Sequence, residues 1–484
     1  MTVTKLNKKD VAKSLSVFIL GAVGIAVIVL LMIVINEKSQ TGAYIKANMR
    51  ELLIVLVASV VLTAILYCYF LFENKAVFKR VSKMIEIFLL LYLSMMFSFI
   101  IGKYVNVAAR PLSFLALTGA MLFKTRDSIF LNTIFALVML AIDRFTTITG
   151  IDIGAYEAYG NLLCTFCTGI VAIFVLRNVK TRIGSVLVAL ALLIPVEGIN
   201  FLVHIPKNGW SVNEVLRLLM FGALDSAFSI MLFMVLLPVF EFMFAELTAF
   251  RLRELTSDDA KLIKKLKTHA PGTYNHSAVV AQIVEACAKE IGEDSELARA
   301  ASYYHDVGKL KKPEMFAENQ TDYNFHTEFT PELSVDIIRS HARDGAKLIK
   351  KSRLPDFFAD VAVQHHGTLP IKYFYAKALK MSDGELNIDN YSYSGPTPTT
   401  KIAAMIMIAD ASEAATRSLS DRSPANVESL VRSLIEERLD LGQFDDCNIT
   451  MRELSIIKST IVNQLTGVYH SRVKYPKLTI SKKK

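Results

Sequence analysis

Residues 14–36 form an uninterrupted apolar run. As a helix, a run of that length crosses about 30 Å of hydrocarbon. No water reaches backbone N–H and C=O groups there, so a helix is the form such a segment adopts. Further apolar stretches follow at 52–72, 84–102, 105–123, 128–148, 160–176, 184–205 and 216–244. Arg110-Pro111 interrupts the one at 105–123. Counting it, the chain holds one span plus seven. The hydrophobic excess (52% of residues, mean hydropathy +0.38) is confined to residues 1–250, and the remainder reads as a charged, helical, soluble domain. The expected fold class is therefore all-α, a polytopic transmembrane helical bundle followed by an all-helical domain.

Charge sets the expected topology. Lys5, Lys8, Lys9 and Lys13 precede the first span, which is long for a signal peptide and lacks a clear small-residue cleavage site, so it reads as a retained anchor. Loops on one side carry Lys75, Lys79, Arg80, Lys83, Lys124, Arg126, Arg177, Lys180 and Arg182. The opposite side has Lys103, Arg110 and Arg144. That bias places the N-terminus in the cytoplasm, and an even number of spans returns the C-terminal half there. The same placement accounts for the pI near 9.1, so a nucleic-acid polymer is not an expected partner. Five cysteines include Cys164 and Cys167 as a CxxC, but within an apolar run and without a second pair, which reads as buried thiols. Asp143, Glu197, Asp225 and Glu241 fall inside spans, where a charge is costly. Contacts between helices or at the interface are the plainer account of them, and an ion or polar-ligand site the sharper one.

Six segments follow: an N-terminus and anchor (1–36), a short extracytoplasmic loop (37–51), a seven-span bundle (52–244), a connector (245–268), a cytoplasmic catalytic domain (269–476) and a basic tail (477–484). In the connector, Thr256-Ser257-Asp258-Asp259 reads as a helix cap and Ala260–Lys267 as a short basic helix near headgroups. Ala270–Thr273 breaks it.

The second half is organised around His305-Asp306-Val307-Gly308-Lys309. An adjacent imidazole and carboxylate is weak evidence of a metal site. Of nine histidines in the chain, however, His276, His305, His341, His365 and His366 fall in this half, and Asp410 follows them. Imidazole and carboxylate ligands without thiolate fit divalent transition metals, Fe or Mn first, with Zn, Co and Ni open. His276 is expected to open a helix Ser277–Ile291, and His305-Asp306 to follow a helix Leu297–Tyr304. Ser334–Ser340 is expected to end near His341, Phe357–Gln364 at His365-His366-Gly367, and Asp410 to lie within an apolar helix Ile402–Ala415. Lys309 is four residues past His305, on the same face if that helix continues, and is expected to hold a phosphate oxygen or the leaving group. The loop Asn387–Thr400 is placed to cover a ligand, with Tyr391 as its substrate contact, though an ordinary surface loop fits it equally. His269 and His326 are left outside the site.

So many ligands exceed what one tetrahedral ion uses. Two ions sharing Asp306, about 3.5–4 Å apart, would turn a bridging water into hydroxide for in-line attack on phosphorus. Asp306 and Lys309 are then the catalytic candidates. No G-x-x-x-x-G-K-[ST] loop is present, so phosphoester hydrolysis is preferred to transfer from ATP.

The series Ala270-Pro271-Gly272-Thr273-Tyr274-Asn275-His276-Ser277, Tyr304–Lys309, Glu318-Asn319-Gln320 and His365-His366-Gly367-Thr368 resembles the seven-transmembrane HD-domain family of phosphohydrolases, which includes PgpH-type cyclic di-AMP phosphodiesterases. Ala409–Ala414 and Tyr469-His470-Ser471-Arg472 also fit its pattern. The resemblance implies one metal on His276, His305, Asp306 and Asp410 and a second on Asp306, His341 and His365, with His366 completing that shell or touching substrate. It also implies cyclic di-AMP as substrate, the linear dinucleotide pApA as product, and catalysis at the cytoplasmic face of a bacterial cell membrane. The large extracellular domain common after the first span in that family is replaced here by residues 37–51, so sensing through such a domain is not expected. A homo-oligomer is left open. The alternatives are a hydrolase of cyclic di-GMP or ppGpp, or a membrane receptor whose HD domain only binds nucleotide. Against them stand the absence of a His-His-Glu continuation, the surplus of ligands over a one-metal site, and the completeness of the ligand set.

Overall fold

A computed structural model describes residues 8–37, 40–144, 153–208, 210–320, 323–382 and 384–468. Lys5, the 145–148 end of one expected span, the Tyr469–Arg472 motif and the 477–484 tail lie outside the described residues. Among those described, the chain is α-helical with short 3₁₀ turns, and its one β-bridge pairs Pro370 with Ser392. It divides into two compact units, Met1–Phe250 and Arg251–Lys484.

The first unit contains α1 (Lys8–Glu37), α2 (Thr41–Ala47), α3 (Met49–Glu73), α4 (Val81–Tyr104), α5 (Phe114–Leu122), α6 (Thr125–Arg144), α7 (Ala155–Leu176), α8 (Val188–Asn208) and α9 (Val212–Met243). Among the described residues, seven helices are long and apolar enough to cross a membrane: α1, α3, α4, α6, α7, α9 and the Ile183–Ile205 stretch that contains most of α8. The stretch expected at 105–123 is not among them. It splits into a 3₁₀ turn, Val107–Ala109, and the nine-residue α5. Pro111 has no N–H to donate and holds Arg110 in extended backbone (φ −61°, ψ 134°), so the helix cannot start until Phe114. The broken segment still runs the length of its neighbours. At its start Arg110 reaches Asp143 near the end of α6, and at its close the Leu122 carbonyl accepts from Lys83 in the first turn of α4 (2.8 Å). Among the described residues the chain thus has seven candidate spans and one interrupted apolar segment packed among them, as in a multi-pass membrane protein.

The second unit contains α10 (Ala249–Leu255, which begins just before it), α11 (Lys261–His269), α12 (Pro271–Ile291), α13 (Ser295–Tyr304), α14 (Pro331–Lys351), α15 (Asp356–Gln364), α16 (Lys372–Met381), α17 (Lys401–Ser418), α18 (Pro424–Asp440) and α19 (Met451–Val468). Its centre is α17, in which every residue from Ile402 to Asp410 is buried. Such a helix is apolar all round because neighbours surround it, and α12, α18 and α19 pack on it. Side-chain caps open several helices: Asp294 accepts from Leu297 N–H at α13, Thr330 from Leu333 at α14, and Thr400 from Ala403 at α17.

Several expected boundaries differ. Ala270–Thr273 is not a break of any length: Ala270 alone separates α11 from α12, and Pro271 opens α12 at its first position, where a missing N–H costs nothing. His276 therefore sits inside the helix rather than ahead of it. Thr256 and Ser257 do not cap the next helix. Their hydroxyls donate back to the Leu252 and Glu254 carbonyls of α10, and α11 starts at Ala260 without a side-chain cap. His341 lies mid-way along α14 rather than at a helix end.

Candidate metal centre

The seven candidate ligands are delivered by five elements. α12 supplies His276, the end of α13 His305 and Asp306, α14 His341, the end of α15 His365 and His366, and α17 Asp410. Two glycines let these elements meet. A Cβ on Gly308 would collide with the carbonyl oxygen of His341, and one on Gly272 with that of Glu318.

The structure brings all seven expected ligands together. Asp306, His341, His365 and His366 form one group, and His276, His305, Asp306 and Asp410 another, with ligand atoms inside each group within 4.8 Å of one another. Asp306 belongs to both. Its Oδ1 lies 3.2 Å from His341 Nε2 and 3.6 Å from His365 Nε2, while Oδ2 lies 3.3 Å from His305 Nε2. On the other side Asp410 Oδ1 is 2.8 Å from His276 Nε2 and 3.9 Å from His305 Nε2, and His366 Nδ1 is 3.8 Å from Asp410 Oδ2.

The rings are preset. The Nδ1 atoms of His305, His341 and His365 point at the carbonyls of Ser302 (2.6 Å), Ile338 (2.5 Å) and Ala362 (2.9 Å), each three residues back. Those acceptors hold the proton on Nδ1 and turn the Nε2 lone pair toward Asp306. His276 is held by Glu413 instead, 2.5 Å from its Nδ1, and Arg417 in turn holds Glu413 at 2.5 Å.

Four carboxylates (Asp306, Glu318, Asp410, Glu413) face two permanent cations, Lys309 and Arg417. Burial disfavours a charged His276, but the hydrogen bonds to Asp410 and Glu413 win and push it up to about 9. His305 is likewise driven up to about 10, burial being outweighed by Asp306 and Asp410. Burial alone would raise Asp306 and Asp410. Lys309 and His305 hold Asp306 well below the usual carboxylate range, and His276 and His305 do the same for Asp410. Burial and the neighbouring His365 hold His366 well below the ordinary histidine value. Without metal, protons on His276 and His305 thus supply the missing positive charge.

The residues present fit metal ions. Buried polar atoms are normally paired, yet His305 Nε2 and Asp306 Oδ1, both buried, have no hydrogen-bond partner. Both atoms sit among the ring nitrogens and carboxylate oxygens of the two ligand groups, an arrangement that divalent cations complete.

Lys309 is elsewhere than a continued helix would put it. α13 stops at Tyr304, and Val307–Lys311 winds as a 3₁₀ turn, so Lys309 folds over Asp306 (2.8 Å) and reaches Glu318 (2.7 Å). Two cavities open on the cluster. One of about 630 Å³ is lined by Lys309, His341, His366, Tyr373, Tyr393 and Asp410 among others, and one of about 440 Å³ by His276, Lys309, Glu318, Asp410 and Arg417. Tyr391 lines neither. It is buried with Val335, Phe374 and Ala378, its hydroxyl donating to Glu332, because Ile371 N–H bonds its carbonyl and ties it to the start of α16. Two residues on, Tyr393 takes the place expected of it, stacked on the His366 ring (4.2 Å between centroids). His326 lines the larger cavity but spends its Nε2 on the Met315 carbonyl, and His269 is exposed.

Sequence reasoning assigned no role to Glu413, Glu318 or Tyr393. Glu413 was findable, since an acid three residues after Asp410 shares its helix face. Glu318 and Tyr393 come from irregular segments that carry no periodic signal.

The sequence matches the HD domain family over residues 273–415 and the family described as a 7TM receptor with intracellular HD hydrolase over residues 49–248. It is 35% identical over 423 residues to the cyclic-di-AMP phosphodiesterase PgpH of Listeria monocytogenes, covering 86% of this chain and 58% of that protein. It is 40% identical over 279 residues to the protein of the same name from Bacillus subtilis, covering 57% of this chain and 39% of that one. The chain thus spans between about two-fifths and three-fifths of the length of these relatives. Among solved structures, the L. monocytogenes PgpH HD domain in complex with cyclic-di-AMP is 45% identical, covers 44% of this chain and 99% of its own, and gives a TM-score of 0.42. Both of its units are thus matched, in order, by models of a 7TM region and of an HD domain, the two parts of a 7TM receptor with intracellular HD hydrolase.

Proposed function

We propose that this chain is a membrane-bound, metal-dependent phosphodiesterase that opens cyclic di-AMP to the linear dinucleotide pApA. The observation that carries the hydrolytic part is Asp306, one buried carboxylate shared by two ligand groups whose other members line two cavities. The nucleotide comes from the two relatives, both named cyclic-di-AMP phosphodiesterases.

In this reading His276, His305, Asp306 and Asp410 hold one ion and Asp306, His341 and His365 the other, with His366 beside the second. When bound, a pair of Fe or Mn ions supplies an activated water and neutralises phosphoryl charge. The chain's own residues do the rest. The Ser302, Ile338 and Ala362 carbonyls and Glu413 keep the imidazoles aimed. Lys309, once metal competes for Asp306, is free to turn its ammonium toward a phosphoryl oxygen in either adjoining cavity. Tyr373 and Tyr393 give the larger cavity aromatic walls, against which a purine can stack. The loop-charge bias favours a cytoplasmic position for this unit, taken as residues 269–476, and the bacterial relatives favour a bacterial cell membrane.

The test is turnover by the full-length protein in detergent with Mn²⁺ or Fe²⁺, offered cyclic di-AMP, cyclic di-GMP and ppGpp at equal concentration. Preferential conversion of cyclic di-AMP to pApA is expected. Preference for ppGpp or cyclic di-GMP would overturn the substrate assignment and leave the hydrolytic one standing, whereas no hydrolysis of any would overturn both.

A further inference from the structure

The carboxylates buried in the membrane unit fall into two kinds. Glu86 pairs with Lys83 (2.9 Å), Asp127 accepts from Tyr69 (3.0 Å) and Asn74 (2.6 Å), Asp143 from Arg110 (2.6 and 2.8 Å) and Asn161 (3.1 Å), and Glu241 from Arg182 (2.6 Å) and Thr248. Glu86 is answered one turn back on its own helix and the other three by groups on other segments, all as structural contacts. Glu197 and Asp225 are different. Among the described residues neither has a lysine, arginine or histidine partner. Both Glu197 oxygens lack a hydrogen bond, and Asp225 is met only by the Ser229 hydroxyl (3.2 Å) and the backbone of Leu112.

The two acids share one place. Glu197 and Asn200 stand one turn apart on α8. A Cβ on Gly222 of α9 would collide with the Glu197 carboxyl, so that carboxyl rests on bare backbone there. Asp225 and Ser226 lie three and four residues past Gly222, on the same face. Leu112, Cys164 and Val196 pack together beside them, bringing the interrupted pass, α7 and α8 to the same point. Further polar atoms are left over. Ser226 Oγ and Ser113 Oγ are both buried without a partner, on residues at most 1% exposed. Non-helical backbone at membrane depth, as at Pro111-Leu112-Ser113, is tolerated where it is enclosed by protein or lines a cavity. Beside broken helices such backbone is a recurring setting for ion sites.

We propose that Glu197 and Asp225, with Ser226 and Ser229, form a binding site for a hard cation of the alkali or alkaline-earth class within the membrane bundle. Uncompensated carboxylates at this depth are costly. Oxygen donors without imidazole or thiolate select that class over the transition metals expected in the HD unit. The proposal is independent of the reaction assigned to the HD unit.

The test uses the full-length protein in detergent, exchanged into choline buffer and titrated with Na⁺, K⁺, Mg²⁺ or Ca²⁺ while Tm is followed. At least one of these cations is expected to raise the wild-type Tm by several degrees, saturably, beyond any rise in Asp225→Asn and Glu197→Gln. The HD centre is common to all three proteins, so the difference isolates the membrane site. In choline alone the two variants are expected to melt above wild type, because an unpaired charge has been removed. A readout without variants is modification by the apolar reagent dicyclohexylcarbodiimide, located by peptide mass spectrometry. Labelling of Glu197 or Asp225 that the stabilising cation suppresses is expected. Equal responses of wild type and variants to every cation, or labelling at these residues that no cation alters, would overturn the site.

Discussion

Both units bury acids, and they handle them in opposite ways. In the membrane unit Asp143 is 1% exposed and is matched by Arg110, whose guanidinium spans both carboxylate oxygens. In the HD unit Asp306 is equally buried, but its neighbours are His305, His341 and His365 as well as Lys309, and one of its oxygens is left without a hydrogen bond. A carboxylate with both oxygens met by one guanidinium is finished as a structural element. A carboxylate with one oxygen on a lysine and the other facing imidazoles without a hydrogen bond is unfinished until a further cation arrives. Burial therefore does not separate a structural acid from a functional one, and the identity of the answering atoms does.

The contrast can be tested most sharply at Asp306. Asp306→Ala removes the member common to both ligand groups. We expect no measurable turnover and a loss of bound metal, with the helical circular dichroism spectrum retained. Full activity in that variant would remove the shared carboxylate from the mechanism.

Next in size is the response of metal uptake to pH. Metal must displace protons from His276 and His305, which titrate in the metal-free site near 9 and 10. Below those values the apparent affinity should rise with pH, by roughly tenfold per unit for each proton displaced. Chelator competition at pH 6, 7 and 8 measures it, and a flat profile would mean that these rings are already neutral.

On the membrane side, Arg110→Met leaves Asp143 buried without its cation. This should destabilise the protein by about 3–5 kcal/mol, read as a lower Tm in detergent. The double variant Arg110→Met/Asp143→Leu should recover most of the loss. A single variant as stable as wild type would show that the pair is not what compensates Asp143.

Glu413→Gln tests the partner of His276. It keeps the shape but gives up the charge, and metal affinity should fall roughly 10–100-fold with little change in Tm. The smallest effect is expected at Tyr391→Phe, which removes a hydroxyl bonded to Glu332, away from the ligands. It should cost about 1 kcal/mol of stability and leave kcat unchanged. A large drop in kcat would return Tyr391 to the site.

Much of this was readable in order along the chain. The apolar runs announced their helices because hydrocarbon leaves the backbone no other way to pair its polar groups. His276, His305, Asp306, His341, His365, His366 and Asp410 stood out by type, because few side chains ligate metals. Arg110-Pro111 marked the interrupted pass, since proline's effect on its neighbours is local. Where local rules competed, the reading failed. Lys309 shares a face with His305 only if the α-helix continues, and the chain tightens to a 3₁₀ turn after Asp306. Tyr391 and Tyr393 lie two apart in a loop, and only the bonds at Ile371 and Leu369 decide which of them meets His366.

The amino-acid order alone determined which segments are helical, which cross a membrane and which side chains are able to hold a cation, because each of these depends on residues within a few turns of one another. Which acids are answered was decided only in three dimensions. Arg110 and Asp143 are 33 residues apart, and His276 and Glu413 are 137 apart. Whether a buried carboxylate meets a guanidinium, an imidazole or nothing depends on the packing of distant helices, and no local pattern carries that distance.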